Sequence, residues 1–299
     1  MMRSETRGLW LGFLGVAIFA ATVPMTRLAT GDASNPQLSP WFIAFGRAFV
    51  AGMLSIIFLA AVRSPWPKGR MQWTSLSLAV VGNVIGWPLF LGMAMRQVSA
   101  THAAVITALA PLATAIVVAC ILKLRARPLF WVCAFLGAAL TMGFSMLRAY
   151  QQGHGFALET ADLYLIAAII FAAIGYAYGA RVTPALGAEQ TICWICILGL
   201  PITIPGTLMS WPQAPVETSA WIGFAYTGIF SMWAGFFAWY RGLHLGGPLR
   251  VSQLQLFQPF LSILIAIPLL GEAFDPTALV FAAAVVMVVM IGKRHAIPK

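Results

Sequence analysis

Polar side chains that could bind a small solute occur inside one of the most apolar stretches of this sequence, residues 250–272. About 20 residues there carry no charge, and a helix rising ~1.5 Å per residue needs about that many to cross a bilayer core of about 30 Å. Four polar residues of the stretch share one side of such a helix: Ser252, Gln255, Gln258 and Ser262. Because lipid disfavours exposed amides, we predict that this side faces other helices or a water-filled cavity.

An earlier stretch repeats this pattern, which predicts one structural unit used twice. Equal offsets separate the residues of each set: Thr107, Pro111 and Thr114 in the first, and Gln255, Pro259 and Ser262 in the second. A further proline follows after the same interval in both, at Pro128 and Pro276. Proline removes a backbone donor and bends helices, so Pro111 and Pro259 are our candidates for gating hinges, with a static bend as the alternative.

The composition places these residues in a polytopic membrane protein. Of the 299 residues, 61% are hydrophobic and 9% are charged, whereas soluble domains carry roughly a quarter charged residues. This excludes a soluble two-domain protein. Cys193 and Cys196 form a C-x-x-C pair inside an apolar run. A redox or metal site needs polar access, so we interpret both as packing residues and predict no metal and no cofactor.

Ten apolar segments predict an all-α membrane protein with ten transmembrane helices. The segments are 8–29, 40–62, 73–95, 100–122, 128–148, 161–181, 188–210, 218–241, 248–271 and 275–292. With the N-terminus in the cytoplasm, fourteen lysines and arginines fall on the inner side and three on the outer side. This positive-inside bias predicts that both termini are cytoplasmic. It also accounts for the net charge of +10, so we predict no nucleic-acid partner.

The longest connection, around residues 149–160, divides the chain into two five-helix halves, 1–150 and 151–299. The halves begin alike, with AIFAA at residues 17–21 and IIFAA at residues 169–173. Because five is an odd number, the second half must enter the membrane upside down relative to the first. Inverted repeats of this kind recur in secondary transporters, whose substrate site lies between the repeats near the midplane.

In this arrangement the chain resembles the drug/metabolite transporter superfamily, EamA type. The resemblance rests on two five-helix repeats, each with a P-x(16)-P pattern in its fourth and fifth segments, and is strongest at QPFLSILIAIPLLGE, residues 258–272. The first repeat departs from it with LKLR at residues 122–125, where a glycine-acid pair is expected. Bacterial aromatic-amino-acid exporters are the nearest functional analogue, but no motif singles them out.

The resemblance implies a central cavity lined by helices 1, 3, 4, 6, 8 and 9. The substrate-binding candidates on these helices are Asn83, Trp87, Thr107, Thr114, Tyr176, Tyr178, Tyr226, Ser231, Trp233, Gln255 and Gln258. Buried amides can hydrogen-bond the carboxylate and ammonium of a zwitterion, while tyrosine and tryptophan offer apolar walls with a polar tip. The alternative is that these groups only join helices. Tyr176 and Tyr178 cannot both face inward, because they lie on different faces of one helix.

Arg47 is the one charge placed clearly inside a predicted span, ~10 Å from its outer end. It could anchor a substrate carboxylate, or it could extend outward and pair with an external acid, Glu272 or Asp275. Because the resemblance places helix 2 at the periphery, we favour the second interpretation.

These observations predict a secondary transporter and not an enzyme. The sequence has no G-x(4)-G-K-[ST] nucleotide loop, no mid-span acid and no evident catalytic cluster. We expect export of amino acids or similar small metabolites across the bacterial inner membrane by alternating access, with the lipid bilayer and the solute as partners and a monomer as the functional unit. The first alternative is efflux of drugs or hydrophobic cations, which aromatic side chains can bind without a carboxylate. A nucleotide-sugar carrier is a weaker alternative, because a diphosphate requires cavity lysines or arginines.

Overall fold

The computed structural model describes residues 2–31, 35–95, 106–151, 160–270 and 276–292. Within these ranges the chain is helical, and its one strand-like feature is an isolated antiparallel bridge between Gly31 and Pro36. The all-α class predicted from the apolar segments is therefore confirmed for the described part of the chain.

We number the helices by the predicted segments that they fill. The first half contains α1 (Met2–Ala20 and Thr22–Thr30), α2 (Pro40–Ala61), α3 (Gly69–Val80, Val81–Gly86 and Trp87–Met95), α4 (Ala110–Ile121) and α5 (Pro128–Gln151). The second half contains α6 (Thr160–Leu186), α7 (Ala188–Met209), α8 (Thr218–Tyr226, Thr227–Ala234 and Gly235–Gly246), α9 (Pro248–Ser252, Gln253–Phe257 and Gln258–Leu270) and α10 (Pro276–Gly292). The middle segments of α3 and α8 are π-helical, and that of α9 is a 3-10 helix.

Seven stretches of the described residues are long and apolar enough to span a membrane, and they lie in α1, α2, α3 and α6 to α9. Three shorter apolar stretches lie in α4, α5 and α10: Ala110–Ile121, Pro128–Phe144 and Val280–Gly292. Each predicted segment thus has a helix at its place. Ten membrane crossings and their arrangement as inverted repeats stay predictions.

Large apolar side chains are exposed on the outside of the bundle. Ile57, Leu163 and Met287 are each about two-thirds exposed, at 65%, 66% and 65%. Water would penalise such a surface, whereas the hydrocarbon of a bilayer does not. The surface therefore fits a protein surrounded by lipid, as the composition predicted.

Several helix boundaries follow from local backbone chemistry. Ser39 caps α2, because its hydroxyl accepts a hydrogen bond from the backbone N–H of Phe42 over 3.1 Å. Single glycines connect α6 to α7 and α8 to α9: Gly187 has φ 94° and Gly247 has φ 84°. Residues with a Cβ rarely adopt such angles, so glycine permits these one-residue turns.

The helices pack in pairs that relate the two halves. α1 packs along α8. The helices five places away from these two, α6 and α3, also pack along each other. α2 packs along α7, α5 along α10, and α4 against α9. For these pairs, exchanging each helix for the one five places away in the order gives another pair that is also in contact.

Two of these pairs depend on glycine for close backbone approach. A Cβ at Gly82 of α3 would lie 2.5 Å from the backbone nitrogen of Gly175 in α6. A Cβ at Gly242 of α8 would lie 2.6 Å from the backbone nitrogen of Gly12 in α1. Gly82 and Gly175 each begin a G-x-x-x-G pattern, a spacing that lets helix backbones approach closely. The structure uses these glycines within one chain.

Candidate polar site at the centre of the bundle

The two π-helical segments, Val81–Gly86 of α3 and Thr227–Ala234 of α8, each carry a predicted site residue. Asn83 lies in the first and Ser231 in the second, and both side chains are buried. The offset between these two residues equals the offset between Pro111 and Pro259. π segments are rare in proteins and frequently mark functional sites.

Asn83 connects three helices through a hydrogen-bonded chain. Its Nδ2 donates to the hydroxyl of Tyr240 in α8 over 2.9 Å. That hydroxyl in turn donates to the backbone carbonyl of Gly175 in α6 over 3.3 Å. Tyr240 is fully buried, so its polar tip has no water to bond with and depends on these two partners.

Ser231 makes a corresponding junction between α8, α1 and α2. Its Oγ shares a hydrogen bond of 2.7 Å with Oγ1 of Thr22 in α1. It also accepts a hydrogen bond from Nη2 of Arg47 in α2 over 3.1 Å. On the same helix, the hydroxyl of Tyr226 donates to the backbone carbonyl of Ile18 over 3.0 Å.

Arg47 points into the bundle, so the outward extension of its side chain that we favoured is wrong, whereas its pairing with Glu272 or Asp275 stays a prediction. Its guanidinium donates to Ser231 on α8 and lies near Tyr176 on α6. The physical reason is that α2 is not wholly peripheral, because one of its faces packs against α7 and the π segment of α8. The external partners considered for it, Glu272 and Asp275, lie outside the described residues.

Tyr176 stands between the two junctions. It interacts with Arg47, and the side chain of Gln255 from α9 lies close to its hydroxyl. Its ring packs on Phe236 and Trp239 of α8, with ring centroids 5.9 Å and 5.5 Å away. Tyr176 and Tyr178 are both partly buried against the main core. They lie on different faces of α6, and Tyr176 is the one placed beside Gln255, Phe236 and Trp239.

Several buried polar atoms of this region lack a hydrogen-bond partner within the described chain. Three are donors: Nε of Arg47, Nε1 of Trp233 and Nε1 of Trp239. One is an acceptor, Oε1 of Gln255. Buried polar atoms are usually paired, and pairing by a ligand is one way to satisfy them. We name the group Asn83, Arg47, Tyr176, Ser231 and Gln255 the central polar site.

The other predicted residues lie around or beyond this site. Trp87 packs on the cluster formed by Ala94, Ile106, Ala161, Leu165 and Ile169. Trp233 packs on Phe58 and Phe237, with ring centroids 5.9 Å and 4.7 Å away. Thr107 and Gln258 are partly buried, and Thr114 is buried in α4.

Pro111 and Pro259 occupy the same position in their helices, the second residue of a segment that follows an irregular turn. Pro111 comes after the turn at residues 108–109 and is the second residue of α4, Ala110–Ile121. Pro259 comes after the 3-10 segment Gln253–Phe257, which carries Gln255. Proline fits the first turn of a helix because no N–H is needed there.

Residue patterns alone did not single out Thr22, Tyr240 or Trp239. Tyr240 falls at the inner end of the predicted eighth segment, where tyrosine is typical of a membrane interface. The structure extends α8 to Gly246 and buries Tyr240 completely. The spacing of Gly175 and Gly179 was the available signal, because a Cβ at Gly179 would collide with the Tyr240 hydroxyl.

These features define a class of protein: a helical membrane protein whose polar side chains from α1, α2, α3, α6, α8 and α9 converge between apolar helices. Within the described residues no group of three or more His, Cys, Asp or Glu side chains could hold a metal ion. The side chains that meet at this site are hydrogen-bonding groups.

Comparison with known proteins identifies the family. The EamA-like transporter family matches residues 6–146 and 159–291, and the chain belongs to this family. An uncharacterized transporter of Bacillus subtilis, YdeK, is 37% identical over 99% of this chain and 100% of its own length. A WAT1-related chloroplastic protein of Arabidopsis thaliana is 22% identical over 86% of this chain and 63% of its own length. A crystal structure with 19% sequence identity and a TM-score of 0.76 over 96% of each chain shows the same fold.

Proposed function

We propose that this transporter exports amino acids or similar small metabolites across the bacterial inner membrane by alternating access. The observation that carries the proposal is the central polar site, which joins neutral hydrogen-bonding groups, one guanidinium and aromatic rings at the middle of the helices. Such a site offers partners for both ends of a zwitterion and an apolar wall for its side chain.

Alternating access through inverted repeats is the mechanism that we propose. It is supported by the two matched ranges, which divide at the predicted joint between the halves. It is also supported by the helix pairs: α1 contacts α8 as α6 contacts α3, and α2, α4 and α5 each contact the helix five places further on. The π segments of α3 and α8 lie at equivalent positions of the two halves. Two similar halves can reach two mirror-related states by exchanging conformations around a fixed central site.

Transport by purified protein in liposomes tests the proposed function. We expect flux of a labelled amino acid from a panel, and expect Gln255→Leu and Gln258→Leu to abolish it while leaving the thermal unfolding temperature near that of the wild type. Leucine keeps the size of glutamine but cannot form hydrogen bonds. Unchanged flux in both variants would remove the assignment of α9 to the substrate site.

The same panel includes a lipophilic cationic dye, which tests the alternative function. The rings of Phe19, Tyr176, Phe236 and Trp239 lie within 5.0–6.1 Å of one another in successive pairs, and aromatic faces attract cations. Flux of the dye driven by a pH gradient, without amino-acid flux, would replace the proposal with cation efflux.

We further propose that both termini face the cytoplasm. The proposal is supported by the fourteen basic residues that the predicted topology places on the inner side. We also propose the bacterial inner (cell) membrane, and the relative of 37% identity from Bacillus subtilis supports a bacterial membrane. Function as a monomer stays a prediction.

A further inference from the structure

We propose that Arg47 is the residue that binds the carboxylate of the transported solute, so that the substrate class is small carboxylates, α-amino acids among them. The inference rests on the proposed function for its site, and it adds the charged group that selects the solute. It stands on three features of the site: an isolated charge, an excess of hydrogen-bond donors, and one well-placed acceptor.

The first feature is the absence of a counter-charge for Arg47 among the described residues. The described acids lie near helix ends, where Glu5 pairs with Arg250 over 2.9 Å and Glu189 with Arg241 over 3.1 Å. Glu217 accepts a hydrogen bond from Asn35, and Asp162 lies in the first turn of α6. A charge inside a membrane helix bundle is costly unless it is paired. A bound anion would supply the missing partner.

The second feature is the excess of donors around Tyr176. Nε of Arg47 and Nε1 of Trp239 are buried and have no acceptor within the described chain. Arg47 lies near Tyr176, and Trp239 packs on the ring of the same tyrosine. A ligand that brings oxygen atoms would satisfy these donors, and a carboxylate brings two. Guanidinium groups bind carboxylates through paired N–H groups.

The third feature is a buried acceptor close to Tyr176. Oε1 of Gln255 has no donor within the described chain, and the side chain lies close to the tyrosine hydroxyl. An α-amino acid carries its ammonium next to its carboxylate, so the ammonium can bond to Gln255 while the carboxylate bonds to Arg47. A hydrophobic cation without a carboxylate would instead meet an unpaired positive charge.

A series of probes tests the inference on the wild-type protein. Purified full-length protein in detergent is titrated by calorimetry with phenylalanine, 3-phenylpropionate, phenylalanine amide and phenethylamine, and with the matching leucine series. We expect the two carboxylate probes to bind at least about tenfold more tightly than the amide and the amine, as expected for a charge-assisted hydrogen bond. Equal affinity for carboxylate and amide would overturn the inference, and so would an absence of binding by every carboxylate.

Variants of Arg47 then locate the effect. We expect Arg47→Gln to weaken binding of the carboxylate probes at least about tenfold. Binding of phenethylamine should stay the same or become tighter, because the variant removes a like charge. Arg47→Lys should recover part of the affinity, because it keeps the charge and loses the paired geometry. Arg63→Gln is the matched control, since Arg63 is exposed just beyond the end of the same helix, on the side that we propose to be cytoplasmic. Thermal unfolding of each variant shows whether it is folded.

The outcomes separate this inference from the proposed function. Amino-acid flux that is unchanged in folded Arg47→Gln would overturn the role of Arg47 and leave the transport proposal standing. Arg47-dependent binding of 3-phenylpropionate without transport of any amino acid would support the role of Arg47 and reject amino-acid export. Binding of phenethylamine and the dye alone would reject both.

Discussion

Adding one methyl group at Gly82 tests whether α3 and α6 pack backbone against backbone. In Gly82→Ala the new Cβ would lie 2.5 Å from the backbone nitrogen of Gly175 and 2.5 Å from the carbonyl oxygen of Phe171. Ordinary contacts of carbon atoms are about 3.5–4.0 Å, so the two helices must separate by about 1 Å. Neither obstacle is a flexible side chain that could move away.

The expected cost combines two opposing effects. Overpacking of this kind costs about 1–3 kcal/mol, while replacing glycine by alanine in a helix returns about 0.5–1 kcal/mol. We expect Gly82→Ala to lose about 1–2 kcal/mol of unfolding free energy. The separation would also lengthen the bonds from Asn83 to Tyr240 and from Tyr240 to Gly175, which now measure 2.9 Å and 3.3 Å.

Gly143 of α5 provides the matched control, because a Cβ at this position would meet nothing within 4 Å. Gly143→Ala should therefore be neutral or gain up to about 1 kcal/mol. Unfolding in mixed micelles with increasing denaturing detergent, followed by circular dichroism, measures the free energies of both variants. If Gly82→Ala proved as stable as Gly143→Ala, α3 and α6 would not pack in backbone contact and the helix pairing described here would be wrong.

Two further predictions concern the hinge and the topology. Pro259→Ala restores a backbone donor after the 3-10 segment of α9. We therefore expect a lower turnover rate with little change in substrate affinity. An effect confined to thermal stability would instead indicate that Pro259 makes a static bend. A reporter that is active only in the cytoplasm should be active when fused to either chain end. A reporter that is active only outside the membrane should be active when inserted between residues 152 and 159, because each half has five predicted spans. A cytoplasmic signal at that joint would rule out inverted halves.

The positions of the helices could be predicted from the sequence because each depends on local composition. A long apolar run without charges is stable only in lipid or a core, and this fact holds whatever its neighbours are. The contact between α3 and α6 was also accessible, since Gly82 and Gly175 each begin a spacing that permits close approach.

The membership of the central polar site could be predicted only in part. Asn83, Ser231, Tyr176 and Gln255 were candidates because they are polar or amphipathic residues inside apolar segments. The face on which each lies could not be deduced, because a helix such as α6 is apolar nearly all round and its pattern does not show which side meets other helices. The structure places Tyr176, and not Tyr178, beside Gln255 and the rings of Phe236 and Trp239.

By itself, the sequence determined the class of protein, the places of its helices and the internal duplication of its motifs, because hydrophobicity and proline and glycine spacing act over a few residues. Tertiary structure alone decided that Arg47 turns inward to Ser231, that Tyr240 is buried beneath Asn83, and that the π segments of α3 and α8 hold matching places. These outcomes depend on how each helix is rotated about its axis. That rotation is set by the packing of all its neighbours at once, which no local pattern contains.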